Sequence, residues 1–261
     1  DSQDFYELEA VAKNNPKSFL DKIWPWFMKV MSHHIYDNDY SRRSSVYRDK
    51  FCFHIGAYPG KLIEAFIVSI VELAQNDTVD FMQFLNENCQ SDYLIIHKLL
   101  FYGLEKVADE GPETVLEYLL SDSRRLCMGS GSSEHHSKTK KLIAAVCPHL
   151  SSKSSQQLED AILNVNYAQP WEGCDAEYRA AVLRWNRQHR LQLLLAFPEE
   201  CLSKRAKQLR QEESRAFPWE IKRNEQPSVG IAQDVGVRMT KEEMSCAKDE
   251  LIISLFNKIS D

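Results

Sequence analysis

Glycine and proline are scarce in this chain, nine of each in 261 residues. That scarcity excludes collagen-like and low-complexity chains, and together with 43% hydrophobic and 27% charged residues it excludes bulk disorder. No apolar run approaches the ~18 residues of a membrane span, and no charged-then-apolar leader opens the chain. A large excess of one charge is also missing: the net charge is −6 and the pI about 5.8. Nucleic-acid binders usually carry a basic excess or stripe, so DNA and RNA are disfavoured as main partners. The seven cysteines (52, 89, 127, 147, 174, 201 and 246) stand singly, odd in number and without a CxxC. Several fall at apolar positions of expected helices, where a free thiol packs as a small hydrophobe. A reducing, cytoplasmic compartment is therefore expected. The first residue is Asp1 and an amphipathic pattern begins at once, so we expect a segment of a longer protein.

Catalytic motifs are absent in turn. Gly56-Ala57-Tyr58-Pro59-Gly60-Lys61 has three residues between its glycines, a proline where an N–H is needed, and Leu62 in place of the magnesium-binding hydroxyl. It reads as a loop-to-helix turn, unlike a phosphate-binding loop. Asp37-Asn38-Asp39 opens like a calcium loop but meets Arg42 at the glycine position and Arg48 at the glutamate position. The pairs His33-His34 and His135-His136, and Cys147-Pro148-His149, lack further ligands at zinc spacing. Glu220-Ile221-Lys222 matches the end of one nuclease signature without its upstream acid, and Gly129-Ser130-Gly131 is too short for a nucleophile elbow. No catalytic, metal or cofactor residue is expected in this chain.

What is present is helical alternation. Tyr102–Leu126, YGLEKVADEGPETVLEYLLSDSRRL, reads as a helix, a Gly-Pro break, a second helix and a stop. Phe5, Leu8 and Ala12 start a short helix that ends before Pro16, which opens the next. Phe19, Leu20, Ile23, Trp24, Phe27, Met28 and Met31 form its apolar stripe; Pro25 should kink it, and Trp24, Trp26 and Phe27 should pack on the next helix pair. Further helices are expected at 59–75, after a cap at Asp77 or Thr78, at 93–109, 112–120, 140–147, 155–165, 176–197, 199–217 and 240–259. In 176–197, Tyr178, Ala181, Val182, Trp185, His189 and Leu193 share one face. Residues 218–237 read as an extended linker. The units are 30 to 45 residues long without a visible identity repeat. The expected fold is all-α: irregular stacked helix pairs, an α-solenoid-like (HEAT- or TPR-like) array. We divide it into 1–121, the first helical pairs; 122–217, pairs after a loop; and 218–261, an extended connector and closing helix.

Two polar stretches interrupt the helices. Asp37–Arg48, DNDYSRRSSVYR, and Ser121–His136, with its GSGSSEHHS core, read as loops, the latter flexible by composition. Loops on a rigid scaffold commonly carry recognition. Tyr40, Arg42, Arg43 and Tyr47 in the first, and Arg124-Arg125 at the start of the second, are the candidate partner-binding residues. For Arg124-Arg125 the plainer reading is cations favoured at a helix C-terminus; Lys138-Lys140-Lys141 is a further basic cluster.

The ordered series is similar to a known family. Residues 102–126, then KTKKLIAAVCPHLS, then LEDAILNV with Pro170-Trp171, then RLQLLLAFPEECLSKRAKQLRQE resemble the helical regions of large bacterial STAND NTPases, many of them phage-sensing antiviral ATPases. Phe217–Val237 resembles that family's proline-rich connector. Asp249-Glu250, Lys258 and Asp261 look like its closing helix, with Ile252 where Trp is usual. The likeness covers about three fifths of the chain, Tyr102–Asp261, and touches no catalytic motif. It implies a parent with an effector domain, an ATPase using ATP and magnesium elsewhere, and a helical sensor. The chain is then expected to bind a viral structural or packaging protein and other domains of its parent, with no membrane. The alternatives are a structural arm that binds only its own parent, and a helical hydrolase or nuclease.

Overall fold

The computed structural model describes residues 6–33, 61–129 and 136–225. The chain divides into compact units after Gln226, and all described residues belong to the first. Among them are eleven α-helices and no strand. The loop 37–48, the turn 56–60, residues 130–135 and the segment 240–259 lie outside the described residues.

Helix α1 (Tyr6–Asn14) ends one residue before Pro16 begins α2 (Pro16–His33), which continues through the solvent-facing Pro25. After α3 (Lys61–Asn76), the Asp77 carboxylate accepts the Asp80 N–H at 3.0 Å and starts α4 (Thr78–Asn88). Helix α5 (Leu94–Leu104) is followed by a turn, then Gly111 and Pro112 open α6 (Pro112–Leu120). A 3-10 turn, Ser123–Cys127, leads towards α7 (Ser137–Val146). Ser151, Asp175 and Ser203 cap α8 (Ser152–Asn164), α9 (Ala176–Leu194) and α10 (Lys204–Ala216), each accepting a backbone N–H three residues on. Helix α11 (Pro218–Glu225) is the last described.

Helix α3 touches α1, α2, α4 and α5; beyond it α5 packs on α7, α7 on α9 and α9 on α11, while α6 packs on α8. Each odd-numbered helix thus touches the next, and α9 also packs on α8 and α10. Among the described residues one hydrophobic cluster runs from Ala12 in α1 to Ala206 in α10. At its first end, Trp24 meets Phe66 at 5.1 Å and Phe84 at 4.8 Å, both edge-on, and donates its indole N–H to Asn88 Oδ1 at 2.9 Å. Helix α5 then approaches so closely that a Cβ on Gly103 would lie 2.5 Å from Phe81 Cζ and 2.9 Å from Ile70 Cγ2. A bare Cα is what that crossing requires.

Several expectations are corrected. Trp26 is 55% exposed, because it lies about 100° around α2 from the Phe27 side that faces α3 and α4. The helix expected over 93–109 stops at Leu104, with Val107 and Ala108 buried in the turn that follows. The helix expected over 199–217 breaks at Leu202, because Ser203 is held by the buried Glu159: its N–H and hydroxyl reach the carboxylate at 2.9 and 2.7 Å. Pro218–Glu225 is helical where we expected an extended linker. Pro218 occupies a first turn, and the buried Glu220 accepts from Gln192 Nε2 at 2.7 Å, docking α11 onto α9.

Candidate functional site: an outward aromatic face on α9

Tyr40, Arg42, Arg43 and Tyr47 lie outside the described residues. Arg124 and Arg125 lie within them and are separated by fold rather than joined. Asp122 caps the 3-10 turn and takes the Arg124 side chain, with Nη2 to Oδ2 at 2.6 Å. Arg125 is only 3% exposed. Its Nη1 donates to the Tyr118 carbonyl at 2.7 Å and to Ser121 Oγ at 2.6 Å, its Nη2 donates to the Cys89 carbonyl, and its guanidinium stacks 4.0 Å from the Tyr118 ring centre. At this interior position Arg125, a candidate partner-binding residue by sequence, has little surface to offer a partner.

The same Tyr118 binds His97. The His97 Nε2 faces the Ser91 carbonyl at 2.7 Å, so it must carry the proton. Nδ1, 2.7 Å from the Tyr118 hydroxyl, then accepts. Burial, aided by the Arg125 charge, pushes His97 down to about 4, and it stays neutral. Thr139 Oγ1 donates to the Arg125 carbonyl at 2.7 Å and accepts from the Met128 N–H at 3.0 Å. This inner hub joins α5, α6, the 3-10 turn and α7. Its groups are engaged with one another, so its chemistry is positional.

The outward constellation is on α9. Residues 165–175 run back along that helix. Asn186 accepts the Ala168 N–H at 2.9 Å and donates to its carbonyl at 2.8 Å. Tyr167 stacks on His189 at 3.9 Å, and His189 Nδ1 meets His136 Nε2 at the start of α7. Further out, Trp171 stacks on Tyr178 at 4.1 Å. Trp171 is nevertheless 59% exposed, and Trp185 52%. Tyr178, Ala181, Trp185 and Gln192 recur at helical spacing and share one flank of α9. Gln192 holds the Glu220 carbonyl at 3.0 Å, so α11 covers the end of that flank and leaves Trp171 and Trp185 exposed and Tyr178 partly so. Arg179 and Arg184 are exposed on α9, about 100° to either side of that flank, whereas Arg187 is bound to Glu213 at 3.0 Å.

Trp185 shares one face of α9 with Tyr178, Ala181, Val182, His189 and Leu193 by spacing; Val182 and Leu193 are buried, whereas Trp185 is exposed. The helix carries apolar residues on several sides, Val182 inward but Leu183 and Trp185 outward, and that surplus over one core stripe was the available signal. Elsewhere, Cys127 and Cys147 are pushed up by burial to about 12, so neither presents a thiolate at neutral pH. Among the described residues no three His, Cys, Asp or Glu side chains gather as metal ligands, and no helix is long and apolar enough to cross a membrane. No family model, curated protein or solved structure matches the chain.

Proposed function

We propose that this chain is a recognition region of a bacterial antiviral STAND ATPase, binding a viral structural or packaging protein and passing that event to its parent in the cytoplasm. The supporting observation is the exposed Trp171 and Trp185 with the partly exposed Tyr178 on one flank of α9, and Arg179 and Arg184 exposed on the same helix. Tryptophan, tyrosine and arginine are the residues most enriched at the energetic centres of protein interfaces. Asn186 and the Tyr167–His189 stack hold the loop that carries Trp171, so little ordering entropy is lost on docking. The contacts of each odd-numbered helix with the next are those that stacked helix pairs make, which supports a solenoid-like array. In this reading the fragment has no catalytic role. A viral protein favours the active parent by binding it better than the resting one.

The test is a titration of the purified chain with individual viral structural and packaging proteins. One of them should bind, and Trp171→Ala with Trp185→Ala should weaken it about tenfold or more. Binding that ignores both substitutions sinks the assignment to α9. Binding to the parent's own ATPase portion, with every viral protein ignored, replaces the recognition reading with the structural arm.

A further inference from the structure

Two thiols outside the proposed docking face come together from distant parts of the chain. Cys147 opens the turn Cys147–His149 after α7, and Cys201 closes the turn Glu199–Cys201 between α9 and α10. The Cys201 thiol lies 3.5 Å from the Cys147 carbonyl oxygen, across 54 residues of chain. The Cys201 sulfur thus lies against the backbone of Cys147, close enough for its charge to act on the Cys147 thiol. Cys147 is 1% exposed, whereas Cys201 is half-buried and is the sulfur a small reagent reaches first. A disulfide needs Cα atoms about 4.4–6.8 Å apart, and both residues stand in three-residue turns at helix ends. The buried neighbours Val146 and Leu202 flank the pair with apolar side chains.

We propose that Cys147 and Cys201 form a redox-closable clasp whose oxidant is a low-molecular-weight disulfide such as oxidised glutathione. The Cys201 thiolate attacks one glutathione sulfur, the glutathione S–S bond breaks, and one glutathione thiol leaves. The Cys147 thiolate then attacks Cys201 in the mixed disulfide, and the second glutathione departs. The two protein thiols lose two electrons and two protons, and one oxidised glutathione becomes two reduced ones. The new bond ties the α7–α8 turn to the α9–α10 turn. Burial raises both thiols, and Glu200 raises Cys201 further, so little thiolate is present at neutral pH and closure is slow there.

The experiment treats the whole chain with oxidised glutathione over a series of alkaline pH values, quenches with acid, and reads intact mass and a non-reducing peptide map. The expected product has lost two hydrogens and yields a Cys147–Cys201 cross-linked peptide. Closure should quicken about tenfold per pH unit, following the thiolate fraction. The clasped chain should melt roughly 5–10 °C higher than the reduced one. Cys201→Ser, at a half-buried position, should fold as judged by circular dichroism and give no cross-link. A glutathione adduct on Cys201 that persists, or a map in which either cysteine pairs elsewhere, overturns the clasp.

Discussion

Around Tyr118, an arginine and a histidine face an aromatic ring from inside the protein; around Tyr178, two tryptophans and two arginines stand in solvent. The residue types are similar and their situations opposite. At the inner hub Arg125 donates to two carbonyls and a hydroxyl, and His97 is held between a hydroxyl and a carbonyl. At the outer face the polar work is done beneath the aromatics, by Asn186 on the backbone of Ala168, and the rings themselves remain half uncovered. The difference teaches that an arginine beside an aromatic ring marks a binding surface only when its donors are not already used within the fold. Arg125 fails that criterion.

Substitutions can break this contrast, and the largest effect belongs to the hub. Arg125→Ala strands the Cys89 carbonyl, leaves the Tyr118 carbonyl with Ser121 Oγ as its donor and empties the stack on the ring, so stability should fall by about 3 kcal/mol or more, read as a lower urea midpoint. Acid attacks the same hub through His97. Its folded-state value, about 4, lies below the unfolded value of about 6.5, so the unfolded chain takes up the proton first. The stabilisation is complete above pH ~6.5 and is lost as pH falls towards ~4, by about 3 kcal/mol in total. His97→Gln keeps one donor and one acceptor without a titrating ring; urea midpoints across that window should flatten in the variant, and an unchanged slope would assign the acid sensitivity elsewhere.

A smaller effect is expected where hub-like bonding supports the outer face. Asn186→Ala removes both bonds to Ala168 and should cost about 1–3 kcal/mol, with faster hydrogen exchange along 165–175. Smallest of all, Trp171→Ala combined with Trp185→Ala should move the urea midpoint by less than about 0.5 kcal/mol per site, as surface substitutions do. If that pair destabilises the chain as much as Arg125→Ala, the outer aromatics are core and the contrast collapses.

How much of this was legible in the sequence depended on the range of the interaction. Helix α6 was readable to the residue, because Gly111 and Pro112 start it and both signals are local. A cap at Asp77 or Thr78, of which Asp77 is the one used, and the inward face of Phe19, Trp24 and Phe27 were readable for the same reason. Helix α11 was missed because Pro218 opens linkers as readily as helices, and what decides is Glu220 reaching Gln192, 28 residues away. The break before α10 depends on Glu159, 44 residues from Ser203. Burial of Arg125 requires the Cys89 carbonyl, 36 residues off, and no periodicity reports that. The exposed side of α9 stayed hidden because an aromatic residue at helical spacing is ordinarily core.

Gly103 has a consequence for the protein's history. Its Cα sits where any side chain would overlap the Phe81 ring and press on Ile70. Positions 103 and 81 therefore cannot drift separately: a lineage that acquires alanine at 103 must first have accepted a smaller residue at 81, or lose about 1–3 kcal/mol in the step between. The missing side chain of one residue thereby sets which ancestral sequences were open to its neighbour.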